Sequence, residues 1–385
     1  MEQALSGVKV LDFGHYIAGP YAAMLLAEQG AEVIKVERPG GDPFRKELGF
    51  MVWNRSKRGI TLDLKRPEGQ RVAQELAKRA DVLIENYHPG VAERLGIGYD
   101  ALRKLNPKLI YCSISGFGHS GPYRDLPGWD HIVASVVGLY VYQGGAGPPV
   151  YLVLPFPSYY GAIMAAFSVA TALWARRIMG KGQRIDMPLF NSRLVAHSMS
   201  VVDFKGIKRI FRGDPQGGSP LYKFYPGKDG KWFFLALGNL TFLAKFAVAL
   251  GHDEWVTDPR FDGAPFLILP PTSTELIAML KETFSSKTRD EWLKFLRAND
   301  IPCAPALSVA EYMDDPQVQA NEMVEVVEQP PLGKVRQMGV PIKFPLTPGR
   351  IKGPAPALGQ HTEEVLADLG YSVRELARLK GERVI

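Results

Sequence analysis

The chain has 385 residues, with 46 Lys and Arg against 40 Asp and Glu and a formal net charge of +6. At 46% hydrophobic and 22% charged residues, it can fill two or three packed domains and is too apolar for a disordered or collagenous polypeptide. Two cysteines cannot build a disulfide framework, and Met1-Glu2-Gln3 lacks the basic and apolar regions of a signal peptide, so a reducing cytoplasm is the expected setting.

The N-terminal third alternates strands and helices. Residues 8–13 form a short apolar strand, and a Gly-containing turn leads to Pro20, which suits the first position of a helix to about Gln29. Residues 31–37 then read as a second strand, completing a βαβ unit. A helix over 67–79, a strand at 82–84, a helix near 99–105 and a strand at 109–113 continue the alternation. This pattern predicts a parallel sheet covered by helices, with ligands gathered at the carboxyl ends of its strands.

From Ile132 through Ala175 no Asp, Glu, Lys or Arg occurs. Its first half is broken by Gly144, Gly145, Gly147, Pro148, Pro149, Pro155 and Pro157, which predicts a loop; its second half, 159–175, predicts a buried helix rather than a membrane span. Gly180-Lys181-Gly182-Gln183 turns the chain into a strand at 184–187. A basic, Gly- and Pro-containing run over 201–220 reads as a linker between a large domain at 1–200 and a smaller α+β domain at 221–324. In the smaller domain, strands at 222–225 and 232–237 flank Lys228-Asp229-Gly230, a hairpin signal. Helices follow at 239–250, 273–285, 289–298 and 309–314, with capping boxes expected at Thr272/Glu275 and Thr288/Glu291. Residues 325–385 are strand-like, then Pro-rich, and end in two short helices, the last capped by Ser372/Glu375.

The cations form no stripe interleaved with aromatics. Local clusters occur at Arg55, Lys57, Arg58, Lys65 and Arg66, and at Lys205, Lys208, Arg209 and Arg212. No nucleic-acid signature accompanies them, so a solvated surface or a small polyphosphate ligand is expected rather than nucleic acid. The seven histidines are isolated, and no Cys-x-x-Cys or HxxxH spacing points to a metal. The turn Gly14-His15-Tyr16-Ile17-Ala18-Gly19-Pro20 lacks the central glycine of G-x-G-x-x-G, which argues against NAD even though Glu37 ends the second strand.

Taken in order, Leu5-Ser6-Gly7-Val8-Lys9-Val10-Leu11-Asp12, Ala18-Gly19-Pro20, Gly30-Ala31-Glu32-Val33-Ile34-Lys35-Val36-Glu37 and Leu62-Asp63-Leu64-Lys65 resemble the family III coenzyme A transferases. Asp81-Val82-Leu83-Ile84-Glu85-Asn86-Tyr87, Gly116-Phe117-Gly118, Gly121-Pro122, Gly180-Lys181-Gly182-Gln183, Gly217-Gly218-Ser219-Pro220 and the run from Pro354 to Thr362 extend the resemblance over nearly the whole chain. It implies a Rossmann-like large domain built from both chain ends, a small α+β domain, and two subunits interlocked as a dimer. It also implies that Arg38, Leu62, Lys65, Asn86, Tyr87 and Arg94 contact coenzyme A, the cations meeting phosphates and the aromatic Tyr87 and aliphatic Leu62 the adenine faces. Gly217 and Gly218 match a mobile loop over the family's active site.

In the resembled family an aspartate attacks the acyl-CoA thioester, and the departing thiolate returns to make an aspartyl-CoA thioester that the acceptor acid then resolves. Only a carboxylate can carry CoA this way. The resemblance puts that slot at Pro157, followed by Ser158, and no Asp or Glu lies between Asp130 and Asp186. The racemase branch would need a histidine where Trp129 stands. Ile17 replaces a Gln that faces the acyl group in formyl-CoA relatives, making the pocket apolar. Three readings remain open. One is a non-catalytic subunit beside a paralogous, aspartate-bearing partner; the others are altered chemistry on a CoA thioester and a CoA-binding module without turnover. The aromatics Trp129, Tyr140, Tyr142, Tyr151, Phe156, Tyr159 and Tyr160 suit a bulky, benzylsuccinate-like acyl group, and a packed core accounts for them as well.

Overall fold

The computed structural model describes residues 2–145, 147–206 and 217–385. Lys208, Arg209 and Arg212, and residues 207–216 of the expected linker, lie outside them. The chain divides into two compact units, one of residues 1–137, 153–203 and 319–385, the other of 138–152 and 204–318.

The first unit is built on a six-stranded parallel sheet. Its strands are β1 (Lys9–Asp12), β2 (Glu32–Glu37), β3 (Arg58–Thr61), β4 (Val82–Glu85), β5 (Ile110–Ser115) and β6 (Arg184–Pro188). They lie in the order β3-β2-β1-β4-β5-β6. Alternate side chains point to opposite faces, so each strand feeds two cores. Val10, Val33, Val82, Ile84, Ile110 and Cys112 pack with the helices Ala18–Glu28 and Phe156–Met179. Leu11, Val36, Ile60, Leu83 and Tyr111 pack on the other side with Val72, Leu76, Val365, Leu366 and Leu379. The last three come from the C-terminal helices, which is how both chain ends enter one core. The parallel strands β4 and β5 are buried throughout, as strands covered on both faces must be.

Several expectations change. The first helix begins at Ala18 rather than Pro20, with Ile17 as its N-cap. The edge strand β3 and the helix Leu48–Trp53 were not expected; β3 is short and carries Arg58 and Gly59, which hide its strand character. The first half of the uncharged run opens with two short helices, Asp130–Val136 and Leu139–Gly144, where a loop was expected, whereas its Gly- and Pro-rich residues 147–155 lie outside helix and strand. The helix Phe156–Met179 is only half buried. Ala162, Ala165, Val169 and Ala172 face the core, whereas Ile163, Phe167, Trp174 and Ile178 form an exposed stripe. It is the described helix long and apolar enough to cross a membrane, yet one face is packed onto the sheet.

The second unit carries an antiparallel sheet of β7 (Gly217–Ser219), β8 (Tyr222–Pro226), β9 (Trp232–Ala236) and β10 (Cys303–Pro305), ordered β10-β9-β8-β7. Its core joins Tyr225, Phe233, Phe246, Phe284 and Trp292. The Thr288/Glu291 capping box forms, but the one expected at Thr272 does not, because Pro271 occupies the N-cap and Thr272 is already helical. The Ser372/Glu375 box forms in the first unit. A hairpin of β11 (Val324–Gln329) and β12 (Gly333–Met338) opens the C-terminal part.

Candidate active site

The strand order reverses between β1 and β4, and a cavity of about 180 Å³ opens at the carboxyl ends there. Tyr16, Ile17 and Ala18 follow β1, Asn86 and Tyr87 follow β4, and Trp129, Asp130 and Ser158 close the side. The sheet topology alone brings these separate segments together.

The turn after β1 is over-determined. His15 donates its backbone N–H to Asn86 Oδ1 at 2.7 Å, and Asn86 Nδ2 donates back to the His15 carbonyl at 2.9 Å. A Cβ on Gly14 would lie 2.8 Å from the Gly19 Cα, so only glycine fits. Tyr16 holds a left-handed φ of 59°, the kind of strained backbone that persists only when its surroundings enforce it. Its ring meets Trp129 edge-on at 5.1 Å.

Beneath this turn lies a lattice of buried charge. Lys57 Nζ donates to Asp12 Oδ2 and the Pro20 carbonyl, both at 2.8 Å, and to Asn54 Oδ1 at 3.1 Å. Lys35 Nζ donates to Asp42 Oδ2 at 3.0 Å and to the Gly14 carbonyl. Burial would raise the Asp12 carboxyl, but Lys57 and Lys35 hold it below its ordinary value. Burial brings Lys57 down to about 8 against the pull of Asp12. Burial, reinforced by Lys35, lowers His15 to about 4, so its imidazole is neutral at pH 7 and stacks obliquely on Tyr87 at 5.1 Å.

Of the expected coenzyme A contacts, Asn86 and Tyr87 line the cavity. Arg38, Lys65 and Arg94 are exposed, and among the described residues none of them forms an ion pair, which leaves their charged ends available to an anion. Leu62 is 1% exposed and packed in the core, where it supports the turn rather than offering an open face. Ile17 and Trp129 both line the cavity, Trp129 with 55% of its surface free. Gly217 and Gly218 lie in β7 of the second unit.

Pro157 and Ser158 are buried in the first turn of the helix Phe156–Met179. The sequence reading passed over Asp130, the one carboxylate among the described residues lining the cavity. Its Oδ1 accepts the Ser158 N–H and its Oδ2 the Ser158 hydroxyl, both at 2.7 Å. A carboxylate is thus set on the helix N-terminus from outside the helix, satisfying an orphan donor and complementing the positive end of the macrodipole. Burial raises the Asp130 carboxyl, and its bonds to Ser158 oppose that rise. Glu85, at the end of β4, was also missed. Burial lifts it to about 7 although Ser113 and the Tyr87 N–H stabilise its anion. The signal for both was present in the sequence as an acidic residue at the edge of an apolar run. Among the described residues no three His, Cys, Asp or Glu side chains converge as a metal site.

A model of CoA-transferase family III matches residues 5–362. A succinyl-CoA–D-citramalate CoA-transferase of Chloroflexus aurantiacus is 33% identical over 99% of this chain and 98% of its own length. The beta subunit of a succinyl-CoA–L-malate CoA-transferase from the same organism is 34% identical over 99% of this chain and 98% of its own. Among solved structures, a CAIB/BAIF family protein from Brucella suis superposes with a TM-score of 0.83 at 31% identity, covering 96% of this chain and 100% of that one.

Proposed function

The chain belongs to CoA-transferase family III, and from that premise we propose that it is a subunit of an acyl-CoA:carboxylate CoA-transferase. It moves CoA from a donor such as succinyl-CoA to a bulky, benzylsuccinate-like acid in a reducing cytoplasm. The carboxylate that carries CoA comes from a paralogous partner interlocked with it. One observation carries this reading: the position that the resemblance assigns to the nucleophile is a buried proline, and the single carboxylate among the described residues lining the cavity, Asp130, is bound through both oxygens to Ser158. Asp130 therefore reads as a cap rather than a free nucleophile. The relation to a named beta subunit supports a heteromer. So does the exposed stripe of Ile163, Phe167, Trp174 and Ile178, an apolar face suited to a second subunit, whether the paralogue or another copy of this chain.

The test expresses the chain alone and with its genomic neighbour and follows CoA transfer from succinyl-CoA to candidate acids. Transfer only by the pair is expected. Robust transfer by the chain alone, lost on Asp130→Asn with an intact fold, would overturn the partner requirement and move the covalent chemistry to Asp130.

A further inference from the structure

Asp130 and Ser158 both line the cavity at the carboxyl ends of the parallel sheet. The Ser158 hydroxyl donates to Asp130 Oδ2 at 2.7 Å, the spacing of an alcohol nucleophile and its general base. Asp130 Oδ1 accepts the Ser158 N–H, also at 2.7 Å, so the base is held in place by the residue it would deprotonate. Ser158 is the third residue of the helix Phe156–Met179, and the positive end of the macrodipole there favours a developing alkoxide. Burial raises the Asp130 carboxyl, which makes its anion a stronger proton acceptor. Arg124 is the one arginine or lysine among the described residues lining the cavity. It pairs only loosely with Asp125, at 3.7 Å, and supplies positive charge for the oxyanion of a tetrahedral intermediate.

An alcohol nucleophile leads to a different product from a carboxylate. A carboxylate that attacks a thioester forms a mixed anhydride, which the thiolate can reopen. An alcohol forms an ester, which is too unreactive to take CoA back and hand it on. Water is then the acceptor, and the outcome is hydrolysis.

We infer that Ser158, with Asp130 as its base, hydrolyses acyl-CoA thioesters, a reaction separate from CoA transfer. Ser158 Oγ bonds to the thioester carbonyl carbon as its proton passes to Asp130 Oδ2. The C–S bond breaks, and CoA leaves as the thiol with that proton. Water then adds to the acyl-serine ester and gives a proton to Asp130. The ester C–O bond breaks, Ser158 recovers its proton from Asp130, and the acid departs as a carboxylate with one proton released. The inference rests on the reading that this chain binds acyl-CoA, and it gives the subunit a reaction of its own beside an aspartate-bearing partner.

The test incubates the full-length chain with 3-phenylpropanoyl-CoA and no acceptor acid, and follows free CoA by chromatography. The wild type is expected to release CoA over many turnovers. Ser158→Ala and Asp130→Asn should each lower that rate by about a hundredfold or more. Acid quenching during turnover should find the acyl group on the peptide that carries Ser158. Ser158→Cys keeps a nucleophile in place and should become acylated at position 158, which preserves the test if the alanine variant loses its fold. CoA affinity by calorimetry should be the same in all four proteins. Release that S158A and D130N leave unchanged, or a hydroxylamine-labile acyl group on Asp130, overturns the dyad. So does a wild type that binds CoA yet releases none above the uncatalysed rate. A wild type that does not bind CoA overturns the transferase reading, and this inference with it.

Discussion

Replacing Glu85 by Gln isolates a pH dependence built into the sheet. Glu85 is 2% exposed, and its Oε2 accepts the Tyr87 N–H at 2.8 Å. Ser113 also bonds its side chain, and the Ser113 hydroxyl lies 2.8 Å from His119 Nε2. With Ser113 donating to the carboxylate, His119 Nε2–H is the donor to Ser113. Burial lifts the Glu85 carboxyl from its ordinary 4.5 to about 7. Between those values the folded protein holds a proton that the unfolded chain has released. The stability this contributes is therefore full below about 4.5 and disappears as pH rises through about 7. The gap corresponds to roughly 3 kcal/mol. Gln keeps an oxygen for the Tyr87 N–H and cannot ionise. Urea unfolding of both proteins at several pH values from 4.5 to 8.5 is the assay. His15, lowered to about 4, pulls the other way: its neutral form stabilises the fold above its ordinary 6.5, and that stability is lost as pH falls toward 4. Its effect is common to both proteins and cancels in the difference. The wild type should fall relative to E85Q by about 3 kcal/mol across the range. Parallel stability curves, differing by less than about 0.5 kcal/mol in their pH change, would refute the reasoning.

Lys57→Met should destabilise by about 3–5 kcal/mol, because it strands the Asp12 carboxylate in the core; the double variant with Asp12→Asn should recover part of this in urea melts. Gly14→Ala should cost about 1–3 kcal/mol and weaken CoA binding by calorimetry, since the new methyl meets Gly19 and Pro20 at 2.8 Å. Asp130→Ala should cost about 1–2 kcal/mol in thermal unfolding through loss of the cap on Ser158; an unchanged melting midpoint would show that the cap contributes nothing. Ser158→Ala removes one of the two bonds that oppose burial, so the Asp130 carboxyl should titrate higher in carboxyl-carbon NMR.

Much of the fold is legible in the chain because the period of apolar residues is a local property. Residues 8–13 and 31–37 alternate as strands, and the Ser372 and Thr288 boxes mark helix starts through short-range bonds. Local signals fail where two of them compete. Thr272 satisfies the box pattern yet follows two prolines and becomes helical, and β3 is too short and polar to announce itself. The half-exposed face of the long helix was misjudged for a related reason: an apolar stripe looks the same in sequence whether its own chain covers it or not.

The sequence by itself determined the βαβ order, the glycines the first turn requires, and the 44-residue run without Asp, Glu, Lys or Arg that contains Pro157. Those are properties of neighbours along the chain. Only the tertiary structure decided what faces that run. Asp130 reaches Ser158 across 28 residues, and Lys57 reaches Asp12 across 45. Whether a charge is paired or capped depends on burial and on distance through space, and packing sets both.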